Sequence, residues 1–358
     1  MAFKLGKKKL AGLALTTTAS LWLLAGCGSP PPSSNSGGSS SSGGSNTTSN
    51  STAQASGSGS ASKHYTFELI TKSNASPYWL AVKEGADAAA KKYGATVKFD
   101  APASGTDLAS QLSIFNNAVT AHVDGIILAA QSPTALVKPV QSAIQGGIPV
   151  VTVDSGISPN VADSFLATSN IAASKALADY MAKLVNNKGE YAIIDFNQEA
   201  STGIERPQGF KQGMAAFPNI KYIGMQLSNN NVGQSQSETQ NFLQSHPHIN
   251  LFFGANDRSA LGVANVVKDQ HLKGKVFVAG FDADMGEMQD IKDGYITASV
   301  LQYPYQMGYQ AVQELMKIKA GQSVPKQVQT PYYIVTQKNI NSPQAIKAIQ
   351  QYIPNYKG

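Results

Sequence analysis

The sequence predicts an α/β fold of two doubly wound, parallel-sheet lobes with a cleft between them, and three observations predict it. From residue 63 onward, short apolar runs alternate with helix-period segments over short connections. That is the rhythm of parallel sheets covered by helices on both faces. The region extends to residue 358, too long for one such sheet to be the simplest packing solution. Finally, polar residues follow directly on several of the apolar runs, and ligands of open parallel sheets bind at the carboxyl ends of strands.

The amino terminus precedes this pattern. Lys4, Lys7, Lys8 and Lys9, followed by the apolar run Leu10 to Leu24, read as an export signal over residues 1–26. Leu24-Ala25-Gly26-Cys27 resembles the lipobox of bacterial lipoproteins, in which the cysteine is diacylated and becomes the first mature residue. The competing reading is an ordinary secretory signal with an incidental cysteine. Cys27 is the only cysteine in the chain, so no intramolecular disulfide forms. Residues 28–62 are nearly all Ser, Gly, Asn, Thr and Pro, a composition that buries no core and reads as a tether spanning roughly 30–35 Å. Removing the four signal lysines from the 28 basic residues leaves 24 against 22 acidic ones, a net charge of about +2. With only Arg206 and Arg258 as arginines and no basic stripe, nucleic acid is not an expected partner.

Tyr65–Thr71 alternates as a strand, Lys72–Ser76 is a polar turn, and Pro77 opens a helix that Gly94 stops. Trp79, Val82, Ala86 and Ala90 mark that helix's apolar stripe. Further strands are predicted at Thr96–Asp100, Gly125–Ala129, Pro149–Val153, Ser164–Ala167, Glu190–Asp195, Lys221–Met225, Asn250–Phe253, Val276–Ala279 and Ile296–Val300. Helical spacing fills most gaps, as in Ile171–Leu184 and Ser259–Asp269. The tail, Ser342 to Gly358, spaces Ile346, Ile349 and Ile353 as an amphipathic helix packed on a lobe.

Asp154, Asn256-Asp257, Asp282 and Gln302 each follow an apolar run. Singly, each reads equally well as the cap of the next helix; together they converge on one edge of the sheets. Asp257 is the better cap, leaving Asn256 for a ligand. Tyr78 and Trp79 face either the cleft or the core side of the first helix.

These stretches, taken in order, carry a resemblance: Ser76-Pro77-Tyr78-Trp79, Val123-Asp124-Gly125-Ile126-Ile127, Gly147-Ile148-Pro149-Val150-Val151-Thr152-Val153-Asp154, Arg206-Pro207-Gln208-Gly209-Phe210, Asn256-Asp257-Arg258-Ser259-Ala260-Leu261-Gly262, Gly280-Phe281-Asp282 and Gln302-Tyr303-Pro304. Over residues 65 to about 340 the chain resembles the type I periplasmic binding proteins, nearest the ribose-binding branch of sugar ABC transporters. The resemblance implies two lobes joined by a three-segment hinge, lobe I over about 63–167 and 303–331 and lobe II over about 168–302 and 332–340, with 341–358 as a tail. It implies ligand contacts at Lys72, Ser76, Tyr78, Trp79, Asp154, Ser155, Arg206, Asn230, Asn256, Asp282 and Gln302. Three depart from the ribose pattern: Lys72 stands where a small hydroxyl residue is common, Ser155 replaces an arginine, and Asn230 an aromatic. A polyhydroxy ligand still suits the set, because sugar hydroxyls both donate and accept.

The expectation is therefore a lipid-anchored, extracytoplasmic, monomeric protein that passes a monosaccharide or polyol to an ABC permease and performs no chemistry, with no cofactor and no metal. Its five histidines lack metal-ligand spacing, and no P-loop or Gly-x-Ser-x-Gly elbow appears. A receptor for a sensor or chemoreceptor, an exported carbohydrate-active enzyme using Asp154 and Asp282, and a structural surface lipoprotein are the competing readings. Cys27→Ser should release a soluble protein that still binds its ligand; membrane retention of that variant in cell fractionation would place the anchor elsewhere.

Overall fold

A computed structural model of the protein describes residues 63–282 and 284–358; the expected signal segment, Cys27 and the tether lie outside the described residues. Two six-stranded sheets organise the chain. The first holds β1 (Thr66–Ile70), β2 (Thr96–Asp100), β3 (Gly125–Leu128), β4 (Val150–Val153), β5 (Ser164–Thr168) and a later strand, β11 (Gln327–Thr330). Their order is β11-β5-β4-β3-β1-β2, all parallel. The second holds β6 (Gly189–Asp195), β7 (Ile220–Leu227), β8 (Ile249–Gly254), β9 (Phe277–Phe281), β10 (Ala298–Leu301) and β12 (Tyr333–Thr336), ordered β12-β10-β9-β8-β6-β7. Here β12 runs antiparallel to β10. The chain thus passes between sheets three times, after β5, after β10 and after β11.

Gly-Ile-Ile-Leu of β3 and Val-Val-Thr-Val of β4 are buried at every position, as strands covered on both faces must be. Alternation still decides which face each side chain serves. Phe67, Leu69, Ile127 and Val151 join one core cluster with α1 (Pro77–Tyr93) and α9 (Pro304–Lys319). Ile70, Ile126, Leu128 and Val150 join another with α2 (Leu108–Thr120) and α3 (Val137–Gln145). The second sheet repeats the device. Ile193, Leu251, Phe253 and Phe281 pack on α4 (Asn170–Leu184) and α5 (Ser201–Met214), while Ala192, Ile194, Phe252 and Val278 meet α6 (Val232–Ser245), α7 (Asp257–Asp269) and α8 (Met285–Asp293).

Three elements differ from expectation. β11, whose Gln-Val-Gln-Thr is polar, carries no apolar run; β12, Tyr-Ile-Val-Thr, is aromatic and β-branched but is not among the predicted strands. The tail helix, α10 (Pro343–Ile349), is one short stretch capped by Ser342, and turns follow it up to Pro354 and beyond.

Helices α1 and α9 approach closely enough that only glycine fits at their contact. A Cβ on Gly85 would lie 1.9 Å from the Tyr305 carbonyl oxygen, and one on Gly308 would lie 1.8 Å from that of Val82. Gly308→Val should therefore cost about 1–3 kcal/mol through overpacking. A denaturation midpoint equal to the wild type's would show that the contact yields without strain.

Candidate functional site

Parallel strands of both sheets deliver their carboxyl ends to a common cleft. Asp154 follows β4 and Asp282 follows β9, and both adopt positive φ, 58° and 68°. Aspartate tolerates this left-handed turn better than most residues. It ends each strand while the amide still pairs with the neighbouring strand: Asp154 N–H donates to Leu166 O and Asp282 N–H to Val300 O. One carboxylate is thereby set at the end of each sheet.

The carboxylate of the first sheet is surrounded by donors. Tyr78 Oη donates to Asp154 Oδ1 at 2.9 Å, and Ser155 Oγ to Oδ2 at 2.6 Å. Lys72 Nζ lies 3.1 Å from Oδ2. The ammonium also donates to Ser155 Oγ (2.6 Å) and, across the cleft, to Thr202 Oγ1 of α5 (3.1 Å). It sits 5.4 Å from the Trp79 ring centroid and 5.8 Å from that of Phe196, a cation between two aromatic faces. Its backbone is fixed from behind, since Gln131 Nε2 donates to Lys72 O and Gln111 Oε1 accepts from Gln131 N–H. Burial alone would raise the Asp154 pKa, but Lys72 and Arg206 hold it below the usual carboxylate range. Burial pushes Lys72 down against the opposing pull of Asp154.

The carboxylate of the second sheet is held differently. Arg206 Nη1 donates to Asp282 Oδ2 at 3.3 Å, and its Nη2 lies 3.9 Å from Asp154 Oδ1, so one guanidinium stands between the two acids. Arg206 is itself fixed by Nε to Asn170 Oδ1 and Nη1 to Ala255 O, both at 3.0 Å, and by stacking 3.8 Å over Phe281. Asp282 Oδ1 accepts from Gln302 Nε2 (2.8 Å) and Tyr352 Oη (2.9 Å). Here burial outweighs Arg206, and the Asp282 pKa is raised. The two acids are thus driven in opposite directions.

Of the expected contacts, Lys72, Ser76, Tyr78, Trp79, Asp154, Arg206, Asn230, Asn256 and Asp282 line the cleft. Ser155 and Gln302 stand behind it, with their side chains engaged by Asp154 and Asp282. Trp79 serves both roles considered for it, lining the cleft and joining the core cluster of α1. One assignment reverses. Asn256, not Asp257, caps α7, its Oδ1 accepting from Ser259 N–H at 3.0 Å. Asp257 lines the cleft at the first helical position, where a carboxylate suits the positive end of the helix dipole. Asn256 keeps its amide donors, one of which goes to Asn230 Oδ1 at 2.8 Å.

Phe196, Thr202 and Tyr352 were not anticipated. Phe196 directly follows β6, at a strand end like Asp154, but a rule that selects polar residues there passes over an aromatic one. Thr202 sits in the first turn of α5, and Tyr352 belongs to the tail; neither carries a local signal. Among the described residues, no group of three or more His, Cys, Asp or Glu side chains is arranged to hold a metal ion, and no helix is long and apolar enough to cross a membrane.

With this geometry established, comparison with known proteins is informative. The family model described as "periplasmic binding protein domain" matches residues 67–323. The D-allose-binding periplasmic protein of Escherichia coli K12 is 30% identical over 74% of this chain and 88% of its own length. The ribose import binding protein of Bacillus subtilis 168 is 28% identical over 80% and 92%. Among solved structures, an ABC transporter solute-binding protein of Agrobacterium vitis with bound D-fucose superposes with a TM-score of 0.76 at 33% identity, covering 78% of this chain and 98% of that one.

A buried acid beside the cleft gives a pH prediction. Asp195, at the end of β6, is pushed up to about 7 by burial, against hydrogen bonds from Gln198 and the Phe196 amide. Between pH 4 and 7 the unfolded chain releases this proton while the folded one keeps it, so stability falls as pH rises. In Asp195→Asn the decline in Tm over that window should be shallower, with a remainder from other acids that burial raises, Asp257 (pushed up to about 6), Asp282 and Glu287. An unchanged slope in differential scanning calorimetry would show that Asp195 folds in its charged form.

Proposed function

Since the chain belongs to the periplasmic binding protein domain family, we propose that it is an exported solute-binding protein that captures a monosaccharide or similar polyol between its lobes. One observation carries this reading: a carboxylate from each sheet meets a buried guanidinium and a buried ammonium in a cleft walled by Tyr78, Trp79 and Phe196. Hydroxyl groups that both donate and accept match such a mixed set, and charge-assisted hydrogen bonds are the strong ones. The flat C–H face of a sugar ring suits the aromatic walls. Ser76, Asn230 and Asn256 add neutral partners, while Ser155 and Gln302 support the ligand from behind its acids.

The ligand's work is closure. Contacts to Asp154 on one sheet and Asp282 on the other favour the closed state only to the extent that they exist there and not in the open one. The named relatives include binding proteins for D-allose and ribose, and related structures hold D-fucose or D-arabinose. Delivery to an ABC permease, a monomeric state and anchoring through Cys27 complete the proposal. The hydrolase alternative asks for one carboxyl free to protonate a leaving group; here both acids are engaged by cations and hydroxyl donors, which favours binding without chemistry.

A thermal-shift panel of D-ribose, D-allose, D-arabinose and D-fucose is the direct test. A sugar present at about 100 times its Kd should add about 2.7 kcal/mol of stability. Asp282→Asn should weaken the binding sugar by about 1.5–3 kcal/mol, the range for a hydrogen bond to a charged group. If no sugar or polyol shifts the melting temperature, the monosaccharide reading falls.

A further inference from the structure

We infer that Tyr352, in the tail beyond the second sheet, is a positioning residue of the binding site: its hydroxyl fixes Asp282 and Gln302 in the orientation in which they meet a ligand. This rests on the sugar-binding reading above for its consequence, but not for its geometry. The family model ends at residue 323, and the tail lies beyond it.

Where β10 ends at Leu301, the next amide, Gln302 N–H, has no strand neighbour and is buried. Tyr352 Oη takes that role, accepting from Gln302 N–H at 2.8 Å. Having accepted one hydrogen bond, the same oxygen donates its own proton to Asp282 Oδ1 at 2.9 Å. Gln302 Nε2 donates to that same carboxylate oxygen at 2.8 Å. Oδ1 is therefore filled from behind, which turns Oδ2 toward Arg206 and the cleft. A carboxylate with free rotation about its terminal bond would populate several orientations. Three linked hydrogen bonds reduce these to one.

The tail is built to bring this hydroxyl in. Ser342 caps α10 by accepting from Ala345 N–H, and Ala345, Ala348 and Ile349 are buried in the core cluster shared by both sheets. A turn follows, with Tyr352 N–H donating to Ile349 O, and Gln351 Oε1 accepts from Gln306 N–H in the first turn of α9. The Tyr352 ring then lies 6.0 Å from that of Tyr78. Tyr78 holds Asp154 as Tyr352 holds Asp282. Asp154 and Asp282 thus each have one tyrosine hydroxyl donor, and the two rings meet. Tyr356 supplies the contrast: it is buried in the same tail, yet its hydroxyl finds no partner among the described residues.

The test uses the full mature chain with Tyr352→Phe, which keeps the ring, and Tyr356→Phe as the control. Two readouts are needed. The first is affinity for D-allose and D-ribose by calorimetry: Tyr352→Phe should weaken binding about tenfold, as loss of a hydrogen bond to a charged group implies, and Tyr356→Phe should not change it. The second needs no sugar. The Asp282 carboxyl is followed by carbon NMR against pH and assigned with Asp282→Asn; losing a donor to the charged form should raise its midpoint in Tyr352→Phe only. Other charges facing Asp282 are the same in wild type and variant: Arg206 and Lys72 favour its ionised form, and Asp154, Asp257 and Glu287 oppose it. An unmoved Asp282 midpoint overturns the inference whatever the sugars do, leaving Tyr352 a packing anchor. An unchanged affinity in a protein that binds either sugar overturns it as well. If the wild type binds neither sugar, the sugar reading fails, and the Asp282 titration alone decides the role of Tyr352.

Discussion

Two buried carboxylates face one cleft, and the rest of the site is arranged around the cost of that burial. Removing such groups from water is expensive unless a cation and hydrogen bonds replace the lost hydration. Arg206 stands between Asp154 and Asp282 and contacts both, though more closely Asp282. Lys72 adds a second cation on the Asp154 side only. The asymmetry explains why burial prevails at Asp282 and not at Asp154. It also explains the supporting layer. Asn170, Ala255 O and the Phe281 ring hold Arg206 in place, because a guanidinium free to swing would leave an acid uncompensated.

Such placement depends on strand ends more than on helices. Parallel strands in register deliver their last residues to one edge, and a single left-handed residue after β4 and after β9 turns the carboxyl off the strand axis. Close packing elsewhere makes those ends rigid. Helices α1 and α9 meet through Gly85 and Gly308, and α5 approaches α4 through Gly209 and Gly213, where an added Cβ would strike backbone. A cleft built on such contacts shifts as whole lobes, not residue by residue.

Much of this was legible in the sequence because it is periodic. Central strands such as Gly125–Leu128 and Val150–Val153 are continuous apolar runs, and the helices between them keep their spacing. The strand-end rule brought Asp154, Asn256 and Asp282 to one place. Its limits were local. Nothing in one dimension distinguishes a cap from a contact, so Asn256 and Asp257 exchanged roles. Gln302 and Ser155 lie one layer back because their partners in the fold, Asp282 and Asp154, take up their polar atoms. The edge strand β11 is too short and too polar to announce itself, whereas β12, Tyr-Ile-Val-Thr, has strand-forming residues that went unread. Tyr352 was invisible for another reason: it is 70 positions from Asp282 in sequence, and a tyrosine in an apolar register reads as packing.

Tyr352 also has a place in time. It follows all twelve described strands in chain order, and a domain generally folds as a unit. The last strand, β12, ends at Thr336, but the core cluster shared by both sheets is filled only when Ala345, Ala348 and Ile349 follow. Tyr352 lies three residues past Ile349, so the segment that fills this core is the same one that brings a hydroxyl to Asp282, although it contributes no strand to either sheet. A chain interrupted between Thr336 and Ala345 would keep every described strand yet lack part of the buried core and one donor to Asp282 together, so a defect in the tail is felt in packing and at the cleft at once.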